Sequence, residues 1–186
     1  DRRTSRGLGD VYKRQAMYDL NPLSEAEKQL LAVLSVLPAE YIPYKRLEML
    51  QAHNELLSDQ LLLLHQKGWI YYNEANRSFK CSPVVQQVVR LKHLKIAEDC
   101  EYLIYYLLKE LHNEKIHIDN YIHAKTDAHY AEVALEQLKE YVSTNIGVLY
   151  QNLGIYYTHI GDLNKALFFF ERYNQMAQLL HQIDSN

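Results

Sequence analysis

The stretch LYQNLGIYYTHIGDLNKALFFFERYNQMAQLL, residues 149–180, decides the fold of the C-terminal half of the chain. Apolar residues recur in it at helical spacing on both sides of Gly161 and Asp162. Glycine favours the left-handed backbone that follows a helix C-terminus, and aspartate is a preferred N-cap. The stretch therefore predicts two antiparallel helices joined by a tight turn.

The spacing within this hairpin resembles that of a tetratricopeptide repeat, whose unit is about 34 residues in two helices. Small residues stand where the two helices would cross closely, and aromatic residues fill the space around them. The matching positions are Tyr150, Leu153, Gly154, Tyr157, Gly161, Ala166 and Phe170. Such repeats stack and need about three units for stability, so we interpret the repeat at about 147–180 as the start of a longer array.

In such arrays the first helix of each repeat lines the concave surface, where partners bind. Several residues of the helix predicted from about Gly147 to Ile160 are already used for packing. The residues left nearer the open side are the predicted partner-binding residues, namely Gln151, Asn152, Ile155, Thr158 and His159. The resemblance implies that Asn152 and its neighbours hydrogen-bond the backbone of an extended peptide. A solvated helix face is the alternative interpretation.

The composition predicts a mainly α protein of one ordinary domain or two small ones. Of 186 residues, 48% are apolar and 11% aromatic, which is enough to fill a core, and the six glycines and four prolines are few for a β-rich chain. Cys81 and Cys100 match neither a disulfide framework nor a zinc site, so we expect reduced thiols in a cytoplasmic protein. No apolar run approaches the ~18 residues of a membrane span, so no membrane partner is expected.

The first residues, DRRTSRGLGDVYKRQ, differ from the rest of the chain. They contain five basic and two acidic residues and show no apolar periodicity. The peptide resembles translated sequencing-adapter read-through, so we interpret residues 1–15 as a non-native segment; a basic N-terminal arm is the alternative. Without them the chain has 15 basic and 21 acidic residues, a net charge of −6 instead of −3. This balance argues against non-specific nucleic-acid binding.

Residues 16–95 have the element order of a winged-helix domain, which begins with three helices. Ser24 and Glu27 form a capping-box pattern before a helix over about 25–36. A loop bracketed by Pro38 and Pro43 follows, and YKRLEML then predicts a second, short helix.

The rest of the winged-helix pattern is a hairpin and a further helix. The stretch ELLSDQLLLLHQKGW predicts the third helix, with Gly68 just beyond its end. The β-prone runs WIYY and SFKC predict two strands joined by the turn NEANR. Another helix is expected from Pro83, since proline is well accommodated in a first helical turn.

This part of the chain also resembles the winged-helix segment that follows the nucleotide-binding module of STAND-type NTPases, the NB-ARC relatives of bacteria. The resemblance covers about residues 18–95 and rests on YDLNPLSEAEKQLLAVLSVLPAEYIPYKRLEML and LLLLHQKGWIYYNEANRSFKCSPVVQQVV. It implies an ATPase upstream and a phosphate-sensing histidine after the wing. Ser82 stands at that histidine's position, where we interpret it as the N-cap of the following helix; a hydroxyl bond to a phosphate is the alternative.

Nucleotide chemistry is not expected within the chain itself. A phosphate-binding loop needs the pattern G-x-x-x-x-G-K-[ST], which the glycines at 7, 9, 68, 147, 154 and 161 do not form. We therefore interpret the chain as a non-catalytic regulatory and protein-interaction fragment of a STAND-type signalling ATPase, with no cofactor. Its expected partners are a protein or peptide in the repeat groove and the upstream nucleotide-binding domain.

A transcription regulator with a DNA-binding winged helix and a peptide-binding repeat domain is the alternative function. In such a protein the third helix lies in the major groove and carries basic or amide side chains. Here that helix offers Glu55 and Asp59 against Lys67, and the turn of the hairpin offers Arg77. Because phosphate contacts dominate affinity, tight nucleic-acid binding is not expected.

Residues 96–186 are expected to form a helical region that ends in the repeat. The stretch IAEDCEYLIYYLLKEL predicts a helix over about 96–111 whose apolar stripe is Ile96, Cys100, Leu103, Leu107 and Leu111. The stretch NEKIHIDNYIHAKTDA predicts a polar connection, and HYAEVALEQLKEY predicts a helix up to about Tyr141. Since His112, His117, His123 and His129 lack the H-E-x-x-H spacing, no metal site is predicted, and no catalytic residue is recognised.

Overall fold

A computed structural model describes residues 18–112 and 121–185, and in the second range it describes side chains from residue 124. Residues 1–15, which we interpret as non-native, lie outside this part, as do the side chains of His117 and His123. The described residues form nine α-helices and one antiparallel sheet of three strands, which confirms the prediction of a mainly helical protein. The chain divides into two compact units, residues 18–35 with 39–100, and residues 36–38 with those from 101 onward.

The two units are helical to different degrees. The elements of the first are α1 (Glu25–Val36), β1 (Ile42–Pro43), α2 (Tyr44–Leu50), α3 (Leu57–Gln66), β2 (Ile70–Asn73), β3 (Ser78–Cys81), α4 (Pro83–Lys92) and α5 (Ile96–Asp99), although the last residue of α1 groups with the second unit. The described elements of the second are α6 (Glu101–Glu110), α7 (Tyr121–Gln137), α8 (Thr144–His159) and α9 (Leu163–Asp184).

The start of α1 has the predicted capping box. The Ser24 hydroxyl accepts a hydrogen bond from the Glu27 amide at 3.2 Å, and the Glu27 carboxylate accepts one from the Ser24 amide at 2.8 Å. The other carboxylate oxygen of Glu27 binds the ammonium of Lys67, 2.5 Å away at the end of α3. Because the Glu27 side chain is only 6% exposed, this pair joins two helices at a largely desolvated point.

The end of α1 is satisfied by side chains of α4. The last carbonyls of a helix have no partner within it. Here the Gln86 amide donates to the Leu34 carbonyl at 2.9 Å, and the Arg90 guanidinium donates to the Ser35 carbonyl. The start of α4 is as predicted, since the Ser82 hydroxyl accepts a hydrogen bond from the Val85 amide.

The sheet has the strand order β1-β3-β2, and its hairpin is the predicted one. The prediction of a loop up to Pro43 is wrong at its end, because Ile42 and Pro43 form a strand opposite Phe79 and Ser78. This pairing is between distant residues, and proline is tolerated because β1 is an edge strand. The helix before the sheet ends as predicted, with Gly68 at a φ of +78°.

The predicted helix over 96–111 is interrupted at Cys100, where α5 ends and α6 begins. Its apolar stripe is nevertheless buried over its whole length. Asp99, the last residue of α5, lies 2.5 Å from the ring of His93, which follows α4. This contact ties α5 to the preceding helix, and the helical periodicity of the sequence contains no sign of it.

Helix α7 begins and ends earlier than predicted. It starts at Tyr121, inside the stretch expected to be a connection, and Ala124 and Ala128 on that part are buried. It ends at Gln137 and not near Tyr141, because the chain turns there and the Tyr141 amide bonds to the Leu138 carbonyl, three residues back.

The α8–α9 hairpin has the predicted turn. The Ser143 hydroxyl caps α8 by accepting a hydrogen bond from the Ile146 amide, so the helix starts slightly before the predicted Gly147. Gly161 has a φ of +82°, and the Asp162 carboxylate caps α9 by accepting from the Lys165 amide at 3.1 Å.

The two helices of this hairpin approach most closely at Gly154. A Cβ atom at this position would lie 2.7 Å from a ring carbon of Phe170, which is closer than real Cβ atoms come to other heavy atoms. The neighbouring Phe169, which the sequence interpretation does not single out, is buried and stacks on Tyr157 with ring centroids 5.6 Å apart. Close packing therefore joins α8 and α9 over several turns.

We expect Gly154→Ala to destabilise the second unit by about 2 kcal/mol, because the new methyl group must displace the Phe170 ring. Gly147→Ala in the same helix is the matched control. A Cβ there would lie 3.2 Å from the flexible Met176 side chain, and both variants gain the same ~1 kcal/mol of helix propensity. Denaturant unfolding followed by far-ultraviolet circular dichroism measures both variants. Equal stabilities of the two would show that the contact with Phe170 does not limit the packing.

We expect acid to remove the stabilisation that Glu27 gives to the first unit. Burial opposes ionisation of Glu27, but hydrogen bonds from Lys67 and Ser24 outweigh burial and lower the pKa of this carboxyl below its usual value of 4.5. A group with a lowered pKa stabilises the fold above its unfolded pKa and loses this effect as the pH falls through the folded pKa. The cost of Glu27→Gln, about 1 kcal/mol at neutral pH, should therefore shrink below about pH 4.5.

Fluorescence of Trp69 measures this effect, because it is the single tryptophan of the chain and is buried in the first unit. Glu25→Gln is the control, since Glu25 is exposed and pairs with Lys28 one turn away in its own helix. A cost of Glu27→Gln that stays constant from neutral to strongly acid pH would contradict the role assigned to its charge.

Candidate partner-binding groove

One face of α6 carries polar and aromatic side chains, whereas its other face enters the core. Leu103, Leu107 and Leu111 are fully buried. The opposite stripe follows the spacing i, i+3, i+4, i+7 and consists of Tyr105, Leu108, Lys109 and His112. Tyr105 is 51% exposed, and the Lys109 ammonium lies 5.4 Å from the centre of its ring.

Helix α8 contributes a second stripe with the spacing i, i+3, i+7, formed by Asn145, Val148 and Asn152. Together the two stripes line an open groove of about 470 Å³. Its floor is apolar at Leu108 and Val148, and its rim carries amide, phenol, ammonium and imidazole groups. Such a lining offers hydrogen-bonding groups beside apolar surface, the two kinds of contact that an extended polypeptide can use.

Asn152 fixes the two helices of the groove to one another. It is buried, and its Nδ2 donates a hydrogen bond to the Leu108 carbonyl at 3.3 Å. That carbonyl belongs to the last turn of α6, where the helix itself provides no donor. Within the described residues no donor reaches the Oδ1 of Asn152, so this oxygen is available as an acceptor.

Of the five predicted partner-binding residues, Asn152 is among the described lining of the groove. Ile155 and His159 continue its stripe along α8; Ile155 is half-buried and His159 exposed. Gln151 and Thr158 lie roughly a quarter turn around the helix from that stripe. The Thr158 hydroxyl donates to the Gly154 carbonyl at 2.8 Å. Partner binding by these five residues stays a prediction.

The sequence interpretation missed the α6 side of the groove. It treats α6 only as an apolar stripe, although Tyr105, Lys109 and His112 recur at helical spacing on the other side. It also missed Asn145 and Val148, because it places the start of the first repeat helix after Asn145. The polar stripe was visible in the sequence, but its position next to α8 was not.

Comparisons with family models, with curated proteins and with solved structures found no match. The candidate site therefore rests on the geometry of the chain itself.

A smaller cleft of about 200 Å³ lies between α7, α8 and α9. It contains Glu132 and Glu136, but their charges are balanced by neighbours. Lys165 contacts Glu132 at 3.1 Å, and Lys139 contacts Glu136 at 2.8 Å. Arg172 also lines this cleft and lies over the Phe168 ring. The cleft is smaller than the α6–α8 groove, and both of its carboxylates are paired.

The described residues contain no metal-binding cluster and no membrane-spanning helix. No three histidine, cysteine or acidic side chains in residues 18–112 and 121–185 are grouped to hold a metal ion. In the same part of the chain no helix is long and apolar enough to cross a membrane. Cys81 and Cys100 are free and buried, and burial raises the pKa of each thiol to about 12.

We expect neither cysteine to react with a thiol reagent in the folded protein at pH 8. With a pKa of about 12, the reactive thiolate is almost absent, and burial blocks access to the sulfur. Spectrophotometric titration with a disulfide reagent should detect both thiols only after denaturant is added. Rapid labelling of native protein, traced to Cys81 or Cys100 by mass spectrometry, would contradict the structural role of that residue.

Proposed function

We propose that this chain is a non-catalytic regulatory and protein-interaction segment of a STAND-type signalling ATPase, and that its α6–α8 groove holds an extended segment of a partner protein. The observation that carries the interaction part is the groove itself, with its apolar floor, the exposed amide of Asn145 and the acceptor oxygen of Asn152. A bound peptide would pair its backbone with Asn145 and Asn152 and place side chains on Leu108 and Val148.

In this proposal the second unit is the beginning of a tetratricopeptide-type array. The hairpin α8–α9 is one repeat, and α6–α7 acts as the hairpin before it. In support, α8 contacts α6 and α7 as well as α9. The groove then lies on the first helix of each hairpin, which is the concave side of such an array.

The first unit is proposed to be a winged helix that packs against other protein domains. Its support is the order of three helices, a hairpin and a further helix, together with the resemblance of residues 18–95. Ser82, at the position of the family's sensing histidine, uses its hydroxyl to cap α4. This arrangement favours a structural role of the segment over direct sensing of a nucleotide.

The charges of the first unit weigh against the alternative of a DNA-binding regulator. Glu55 and Asp59 are exposed on and before α3, together with Leu56 and Leu63. The ammonium of Lys67 is paired with a carboxylate, as described above. Arg77 donates to the Ser58 hydroxyl at 3.2 Å and lies over an aromatic ring. Such a surface has little positive charge left for phosphates.

Selection of a displayed random-peptide library on the full chain tests the proposed interaction. We expect selected peptides to lose about tenfold in affinity for Tyr105→Ala or Asn145→Ala, since these variants remove an aromatic contact or a hydrogen-bonding amide from the groove. Asn164→Ala is the matched control, because Asn164 is exposed on α9 and does not line the groove. Fluorescence anisotropy measures the affinities.

Two results would contradict this proposal. One is a selection that yields no peptide, or only peptides that bind both groove variants as well as the wild type. The other is a dissociation constant for duplex DNA of micromolar or better at about 150 mM salt, which would favour the transcription regulator.

A further inference from the structure

The α6–α8 groove carries charge of one sign. Lys109 and His112 line it, and no carboxylate is among its described lining residues. Within the described residues Lys109 forms no ion pair, and its ammonium is instead held over the Tyr105 ring. The groove is therefore a basic site on a chain whose overall charge is −3.

The end of the groove at Asn145 adds to this preference for negative charge. Asn145 is the second residue of α8, after the cap at Ser143. The first amides of a helix have no acceptor within it, and they form the positive end of the helix dipole. Anionic groups are stabilised at such a position, although the amides of Ile146 and Gly147 are already bonded to Ser143. The start of α8 therefore favours the same ligand charge as the ammonium of Lys109.

The remaining lining residues indicate which other groups an anionic ligand of this groove would carry. Leu108 and Val148 are half-buried and offer apolar surface to a side chain. The open Oδ1 of Asn152 accepts hydrogen bonds only, which suits a peptide N–H. Each of these groups lies in the same groove as Lys109.

From these walls we infer that the partner segment is acidic: an aspartate or glutamate side chain binds at Lys109, and an adjacent apolar side chain binds on Leu108 and Val148. This inference rests on the proposed function and specifies the partner of the same groove. Charge complementarity selects this partner, because a basic peptide would face Lys109 without a carboxylate to compensate it.

Two matched displayed libraries test the inference on the full chain. One contains aspartate and glutamate, and the other has asparagine and glutamine in their place. We expect peptides to be enriched from the acidic library in preference to the neutral one. Their dissociation constants should rise about fivefold for Lys109→Gln and about tenfold for Lys109→Glu. Added salt should weaken wild-type binding more than binding to Lys109→Gln, because salt screens the ion pair.

Lys125→Glu is the matched control, since Lys125 is exposed on α7 and does not line the groove. It makes the same charge change and should leave the affinities unchanged. Equal losses for Lys109→Glu and Lys125→Glu would overturn the inference and show only long-range attraction.

The inference and the proposed function fail in different ways. One outcome is a set of peptides that depend on Tyr105 and Asn145 but come equally from both libraries, or that still bind Lys109→Glu. This outcome would overturn the acidic partner but not the proposed groove. Absence of any peptide that depends on Tyr105 or Asn145 overturns both. Far-ultraviolet circular dichroism of each variant confirms that a loss of affinity is not a loss of fold.

Discussion

The second unit depends on the contact between the backbone of Gly154 and the ring of Phe170. Because no Cβ separates them, α9 lies against one side of α8 over several turns, and the stacked pair Tyr157 and Phe169 extends the contact. The side of α8 that carries Asn145 and Asn152 is thereby left for α6. The groove exists because one face of α8 is fully used for packing and another is only partly used.

In the first unit, helix ends are fixed by side chains from distant parts of the chain. The carboxylate of Glu27 closes the start of α1 and also binds Lys67, which is 40 residues away. At the other end of α1, Gln86 and Arg90 supply donors to carbonyls that the helix leaves open. Each contact satisfies a polar group that would otherwise be buried without a partner, so the helices are fixed in position as well as in length.

The sequence predicts well those features whose cause is local. Ser24, Ser82 and Asp162 each cap a helix through a residue only three positions away, and Gly68 and Gly161 adopt the left-handed backbone within their own turns. The sequence fails where the cause is distant. Strand β1 exists through its pairing with Phe79 and Ser78, which lie far along the chain. The candidate site divides in the same way: the position of Asn152 on its helix is predicted from local spacing, but its bond to Leu108 and the whole α6 wall depend on packing.

The hydrogen bond from Asn152 to Leu108 also affects the order in which parts of the chain fold. The carbonyl of Leu108 gains its partner from a residue 44 positions later, so this carbonyl is still bonded to water when α6 leaves the ribosome. The bond to Asn152 forms only after α8 has been synthesised and has docked. The groove is therefore completed at the same step that brings α8 against α6, and a segment that ends before α8 would lack it.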